Sequence, residues 1–190
     1  MLIDVSYFTS GPRHILNAST NATPAQNSVS VNKFIMGYVS HYQLAFLCEM
    51  LGDDLAASIN AYLVEKDEAE AAAATAQPAD GGEEPAEEQS EFVVNEGYEL
   101  LCDKLRESFA DYVFFYILRD ANTQSTDRGI VIWKNENETV APIHRQCAVW
   151  NEMVNRNIRF KAWAAGQTAA PYCLAAVSDN MVTRINPFNL

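Results

Sequence analysis

The stretch NEGYELLCDKLRESFADYVFFYIL, residues 95–118, decides the fold class of this chain. Its apolar residues recur three and four positions apart, which places their side chains on one face of an α-helix. Such a helix is about 36 Å long, most of the diameter of a compact chain of this size, so an elongated helical bundle is expected. The apolar face comprises Tyr98, Leu101, Cys102, Leu105, Phe109, Tyr112, Val113 and Tyr116, opposite Asp103, Lys104, Arg106 and Glu107.

Two further helices are predicted to form a hairpin over residues 31–64. The first, Val31–Leu51, has Ser30 as its N-cap, and Gly52 ends it. The second, Asp54–Val64, carries one apolar stripe. The turn between them is too short for anything but an antiparallel or steeply angled pair.

A short β-like stretch and a fourth helix are predicted after the long helix. Ile130–Trp133 is β-branched and aromatic, and a strand of four residues must pair with another strand to persist. The turn-rich residues 122–129 before it are predicted to form a loop. Pro142, near a first turn, then begins a helix that runs to about Trp163.

These elements predict a mainly α fold. It is an elongated bundle of three to four helices with a short β element, an extended N-terminal arm and a C-terminal tail. The organisation is one domain, with the arm at 1–30, the hairpin at 31–64, an acidic flexible insert at 65–90 and the helical remainder at 91–190. The arm is rich in Gly, Pro, Asn and Ser, and it is expected to lie on the core or on a partner.

Most of the negative charge is concentrated in one segment. The chain carries a formal net charge of -12, and residues 65–91 contain ten acidic residues and one lysine. The rest has 12 basic and 15 acidic residues, which argues against a cationic nucleic-acid-binding surface. Beyond Pro142 there is a small basic excess, typical of a solvated face. The glutamates of the acidic loop are Glu83, Glu84, Glu87 and Glu88.

No motif for catalysis, metal binding or cofactor binding is present. The histidines His14, His41 and His144 form no metal-ligand spacing, and neither a nucleophile elbow nor a phosphate-binding glycine loop occurs. We therefore expect no enzyme activity, no metal and no cofactor. The four cysteines, which have no CxxC spacing, are expected to be free thiols: Cys48, Cys102, Cys147 and Cys173.

Neither a secretory signal nor a membrane span is expected. The first residues lack a basic start followed by an apolar run. The most apolar run, Phe109–Leu118, contains Asp111 and is far shorter than the ~20 residues that a spanning helix needs.

The order of elements resembles that of the head-completion proteins of tailed bacteriophages, also called head–tail connector or adaptor proteins. The resemblance is carried by the helix Phe34–Leu51 with its LGDDL ending, the helix Tyr98–Arg119, the loop Thr126–Val131 and the tail Asn186–Phe188. The acidic insert lies outside it. The resemblance implies a structural protein without catalysis, located in the neck of the virion after assembly in the host cytoplasm.

In that family the subunit is a helical wedge in a ring of about twelve copies. The resemblance implies that the ring lies between the portal protein and the tail or a second neck-ring protein. DNA would pass through the channel without specific binding. An acidic loop facing the channel would repel the phosphate backbone, which lets DNA slide.

Two segments are expected to make contacts in such a ring. Apolar anchors beside a proline of fixed backbone angle favour docking of the tail on the portal or an adjacent ring. The β-like stretch is expected to pair within the subunit or across subunits. The tail residues are Arg184, Ile185, Pro187, Phe188 and Leu190, and the pairing residues are Ile130, Val131, Ile132 and Trp133.

Three other readings stay open. The chain is also compatible with another ring or tail-completion virion protein. A cytosolic helical adaptor that binds a basic partner through its acidic loop is a second alternative. An enzyme whose site is assembled from scattered residues is a third.

Overall fold

The computed structural model describes residues 1–21, 23–75, 92–121, 123–126, 129–132 and 143–188. Four α-helices dominate these residues, so the prediction of a mainly α fold is confirmed. Helix α1 packs against α2 and α3, and α4 packs extensively against α3. The helices are α1 (Gln26–Leu51), α2 (Asp53–Thr75), α3 (Glu96–Ala121) and α4 (Ile143–Ala165).

Successive helices alternate in direction. Gly52 ends α1 with a φ of 82°, in the region that glycine adopts most readily, and α2 begins at once on the other side of this turn. Side-chain contacts show that α1 and α3 are antiparallel, and that α3 and α4 are antiparallel. These contacts are Phe46–Phe109 and Tyr38–Asp120 for the first pair, and Phe115–Trp150 and Lys104–Trp163 for the second.

The first helix begins earlier than its polar start predicts. Helix α1 starts at Gln26, so the predicted start at Val31 and the arm boundary at residue 30 are wrong. Ser30 is not an N-cap but lies inside the helix, where its hydroxyl donates to the Gln26 carbonyl at 3.4 Å. Residues 25–30, between Pro24 and the predicted start at Val31, include neither Gly nor Pro. Ser and Asn are tolerated in a first turn because the backbone N–H groups there have no intrahelical partner.

The second helix is longer than predicted. Helix α2 continues to Thr75, so the boundary of the flexible insert at residue 65 is wrong, because residues 65–75 are helical. Alanine and glutamate have high helix propensity, and Lys66 anchors the extension by an ion pair with Glu99 of α3. The N-terminal amino group of Met1 also pairs with Asp67 on this extension.

The N-terminal arm lies on the core, one of the two predicted locations, but it is not extended throughout. It forms two 3-10 turns, Val5–Phe8 and Gly11–Arg13. Phe8 is fully buried and Leu2 almost so. The backbone N–H of Leu2 donates to the Gln43 side chain of α1 at 2.8 Å.

Asp111 of α3 joins the arm to α4. Its carboxylate accepts from Arg13 of the arm at 3.1 Å and from Arg156 of α4 at 2.9 Å. Burial raises the pKa of Asp111 above its ordinary value, although the two guanidinium groups act in the opposite direction. Arg13 also donates to the backbone carbonyl of Glu107 at 3.0 Å. Three distant parts of the chain therefore meet at one carboxylate.

A small hairpin follows α3. Strand β1 (Thr123–Thr126) pairs antiparallel with β2 (Gly129–Ile132), with Thr123 opposite Ile132. The prediction of a loop over 122–129 is thus partly wrong, because residues 123–126 pair with β2 and form strand β1. Pairing across subunits stays a prediction.

The C-terminal segment crosses from the α1–α2 turn to α4. The Ser178 N–H donates to the Glu49 carbonyl of α1 at 2.8 Å. Asn157 of α4 donates to the Met181 carbonyl at 2.8 Å, and Met181 is buried. This segment therefore holds α1 and α4 together, as the arm does elsewhere in the bundle.

We predict that Arg13→Ala lowers the free energy of unfolding by about 2 to 3 kcal/mol at neutral pH, because a half-satisfied carboxylate stays buried. Loss of this cation raises the pKa of Asp111 further, so the variant's folded state holds a proton to higher pH than the wild type does. The deficit should be largest above that pKa and shrink as the pH falls through it. Urea unfolding as a function of pH measures both quantities.

The control for this change is Lys33→Ala, which removes an exposed cation of α1. Its deficit should be within about 0.5 kcal/mol of zero. An Arg13→Ala deficit of that same size, or one that grows in acid, would contradict the role given to Asp111.

Candidate interaction surfaces

The described residues contain no cluster of metal-binding side chains. Among them, no three His, Cys, Asp or Glu side chains are arranged to hold a metal ion. All four cysteines are free. Burial raises the pKa of Cys102 to about 11 and raises those of Cys48 and Cys147, so these thiols are protonated at neutral pH and poorly nucleophilic. No helix in the described part of the chain is long and apolar enough to cross a membrane.

His41 belongs to a cluster of aromatic side chains. His41 packs edge-on against Tyr42, with 4.7 Å between the ring centres. Tyr42 in turn stacks on Tyr116 of α3 at 4.2 Å, and Arg119 lies 4.4 Å from the Tyr116 ring centre. These aromatic contacts hold α1 against the C-terminal end of α3, so packing between the two helices explains them.

Two tyrosines, one on α1 and one on α2, donate hydrogen bonds to carboxylates of α3. The Tyr38 hydroxyl donates to Asp120 at 3.0 Å, and the Tyr62 hydroxyl donates to Glu99 at 2.7 Å. Burial, and then the hydrogen bond to a carboxylate, raises the pKa of each tyrosine to about 12. Both hydroxyls therefore stay protonated and act as fixed donors between helices.

The C-terminal segment is held on α4 as far as Ile185. The Asn151 side chain donates to the Ile185 carbonyl at 2.9 Å and accepts from the Ile185 N–H at 3.0 Å. This amide therefore pairs with both backbone groups of Ile185, as a residue of a neighbouring β-strand does. The Trp150 indole donates to the Thr183 carbonyl at 2.9 Å. Arg184 donates to the Asn155 side chain at 2.8 Å. A polar row on α4 thus fixes the backbone of the segment.

The predicted docking residues therefore fall into two groups. Arg184 and Ile185 make hydrogen bonds within their own chain. Phe188 lies beyond the last of these bonds, and 96% of it is exposed. Pro187 lies beside it and is partly exposed. Leu190 lies outside the described residues.

The structure describes only some of the other predicted site residues. Ile130, Val131 and Ile132 lie in β2, whereas Trp133 falls outside the described residues. The same holds for the four glutamates of the acidic loop: Glu83, Glu84, Glu87 and Glu88.

A cavity of about 610 Å³ lies where α2 and α3 begin, beside residues 170–176. Leu55 and Tyr98 contribute to its wall, and Leu174 on its edge is 59% exposed. Gly97 allows the close approach of Pro171 here, since a Cβ at Gly97 would lie 2.9 Å from the proline ring. The cavity is at the end of α3 opposite to the hairpin.

The outer helices carry opposite charges. From Asp53 to Glu70, α2 has six acidic residues and one lysine. Helix α4 has four cationic residues, Arg145, Arg156, Arg159 and Lys161, and one acidic residue, Glu152. The sequence predicts a loop for four acids of α2, Glu65, Asp67, Glu68 and Glu70, although the Ala- and Glu-rich composition of Glu68–Ala76 is also compatible with a helix. For the cations of α4 it predicts an ordinary solvated face.

The chain matches no known family model, and no curated protein or solved structure matches it.

We predict that Asn151→Ala releases the end of the C-terminal segment. Two backbone hydrogen bonds to Ile185 are lost, so the free energy of local opening falls by about 1 to 2 kcal/mol. Amide hydrogen exchange at Ile185 should accelerate about tenfold, while exchange in the core of α3 stays unchanged. Asn27→Ala, at the start of α1, is the matched control. Equal protection of Ile185 in both variants would show that Asn151 does not hold the segment.

Proposed function

We propose that this protein is a structural neck protein of a tailed bacteriophage, a head–tail connector or adaptor that forms a ring between the portal and the tail. In this role each copy is a helical subunit of the ring. The ring extends the DNA channel and provides a platform for tail attachment. The role requires no catalytic residue, metal or cofactor.

The observation that carries the proposal is the exposed C-terminal end. The segment is fixed to α4 through Asn151 and Ile185, and Phe188 follows three residues later almost fully exposed. A large aromatic side chain on a short tether from a fixed point loses little conformational freedom on binding, which suits an anchor in a partner's pocket. The partners proposed for it are the portal protein and the tail-side neck protein.

Charge and surface composition agree with a ring subunit. Exposed apolar side chains occur on three different helices, at Phe34 of α1, Val64 of α2 and Ile158 of α4. A subunit in a ring has neighbours on two sides, and it needs contact residues on more than one face. The net charge of -12 opposes tight binding of DNA, as expected for a channel through which DNA slides.

The proposal is tested by the native mass and the companions of the tagged protein recovered from infected cells. We expect an assembly of about a dozen copies that carries a portal-like second chain. A monomer bound to one basic host protein would contradict the proposal and favour a cytosolic adaptor. A ring with tail proteins alone would favour a tail-completion protein.

We predict that deletion of Asn186–Leu190 weakens attachment to the partner and leaves the helices intact, because the deleted residues follow the last hydrogen bond to α4. Phe188→Ala should reproduce most of this loss, since it removes the exposed anchor. Co-sedimentation with portal-containing particles measures attachment, and far-UV circular dichroism measures helix content.

Leu174→Ala is the matched control, since it truncates another exposed apolar side chain outside the four helices. It should co-sediment as the wild type does. If the deletion variant also co-sediments at the wild-type level, the C-terminal end is not the anchor.

A further inference from the structure

The outward face of α2 is acidic and built from small side chains. Asp54, Ala57, Ala61, Glu65 and Glu68 are all exposed and follow one another at intervals of three and four residues. They form one stripe, about 21 Å long, on the side of α2 that faces away from α1. The opposite stripe is buried and contains Leu55, Ile59 and Leu63.

The outward face of α4 has the same spacing and a net positive charge, although it includes Glu152. Arg145, Ala148, Glu152, Arg156 and Arg159 follow the same sequence of intervals as the α2 stripe. All are exposed except the Arg156 side chain, which is 34% exposed and pairs with Asp111 of its own chain, so Arg145 and Arg159 supply the cations of the stripe. The buried stripe of α4, which contains Met153, Asn157 and Phe160, lies on the other side of the helix.

The two stripes lie on opposite edges of the subunit. Helices α1 and α3 stand between α2 and α4 in the order of packing. The arm confirms this order, because Met1 pairs with Asp67 of α2, and Pro12 accepts a hydrogen bond from Arg145 of α4 at 2.9 Å. Directly after Pro12, Arg13 pairs with Asp111 of α3. The acidic and basic stripes of one chain therefore cannot meet each other.

We propose that the acidic stripe of α2 packs against the basic stripe of α4 in a second copy of this chain. The inference rests on the proposed ring and identifies its lateral contact. A chain of net charge -12 repels its own copies unless acidic surface meets basic surface. Two different, complementary faces on opposite edges make a head-to-tail contact, which closes into a ring when the rotation between copies permits it.

The helix directions define the register of this contact. Within the chain α2 is antiparallel to α1, α1 to α3 and α3 to α4, so α2 is antiparallel to α4. Rotation by a small angle about a ring axis preserves these directions, and neighbouring copies therefore meet antiparallel. The intervals of the stripes are symmetric, so this register places Asp54 opposite Arg159 and Glu68 opposite Arg145. Between these two pairs each alanine faces a longer side chain of the other stripe. Ala57 faces Arg156, Ala61 faces Glu152, and Ala148 faces Glu65.

Charge reversal tests the contact in the full chain. Arg159→Glu and Asp54→Arg should each weaken association of copies at least about tenfold, because like charges then face each other. The double variant, with both changes in every copy, should restore the ring because the pair is re-formed with exchanged signs. Native mass at low and high salt measures association, and circular dichroism confirms that each variant folds.

Lys33→Glu on α1 is the matched control, since it makes the same charge change away from both stripes, and it should assemble as the wild type does. A wild-type ring that survives Arg159→Glu, or a folded double variant that stays monomeric, would overturn this contact and leave the neck-ring function standing. Wild-type protein that is monomeric both alone and when recovered from infected cells would overturn the ring itself and this contact with it.

Discussion

The buried carboxylate of Asp111 is the constraint on which the arrangement of the molecule depends. A carboxylate removed from water is costly unless cations and donors surround it, and here Arg13 and Arg156 supply them from two different parts of the chain. Satisfying this one group fixes where the N-terminal arm crosses α3 and how α4 lies against α3. The arm's own side chains Leu2 and Phe8 are then buried in the core.

A second set of contacts places the C-terminal segment. Hydrogen bonds from Ser178 to α1 and from Asn151 and Asn157 to the segment bind it across α1 and α4. With the arm and this segment in place, α2 and α4 are held at opposite edges, and their charged faces are turned outward. The opposite charges of the two edges therefore depend on how the N-terminal arm and the C-terminal segment are bound to the helices. This arrangement gives the ring proposal a physical basis.

Local sequence patterns predicted where the helices occur better than they predicted where each helix ends or which segments pack against it. Helix α3 is readable from its apolar period, whereas the early start of α1 at Gln26 depends on the absence of a breaker after Pro24. The partnership of Arg13 with Asp111 spans 98 residues, and no local pattern encodes such a contact. Of the interaction surfaces, the C-terminal segment was predicted from the proline and the apolar residues near Phe188, but its attachment to α4 through Asn151 was not. The opposed charges of α2 and α4 became visible only once the helices were placed at opposite edges.

The central claim is that this chain is a head-to-tail ring subunit, and single-particle images of the assembled protein test it most directly. The account predicts a closed ring with cyclic symmetry, in which each copy contacts its two neighbours through different edges, α2 on one side and α4 on the other. A particle with a single two-fold axis, in which the same edge of both copies meets, would contradict the account. Images that show only monomers, both for the isolated protein and for protein recovered from infected cells, would also contradict it.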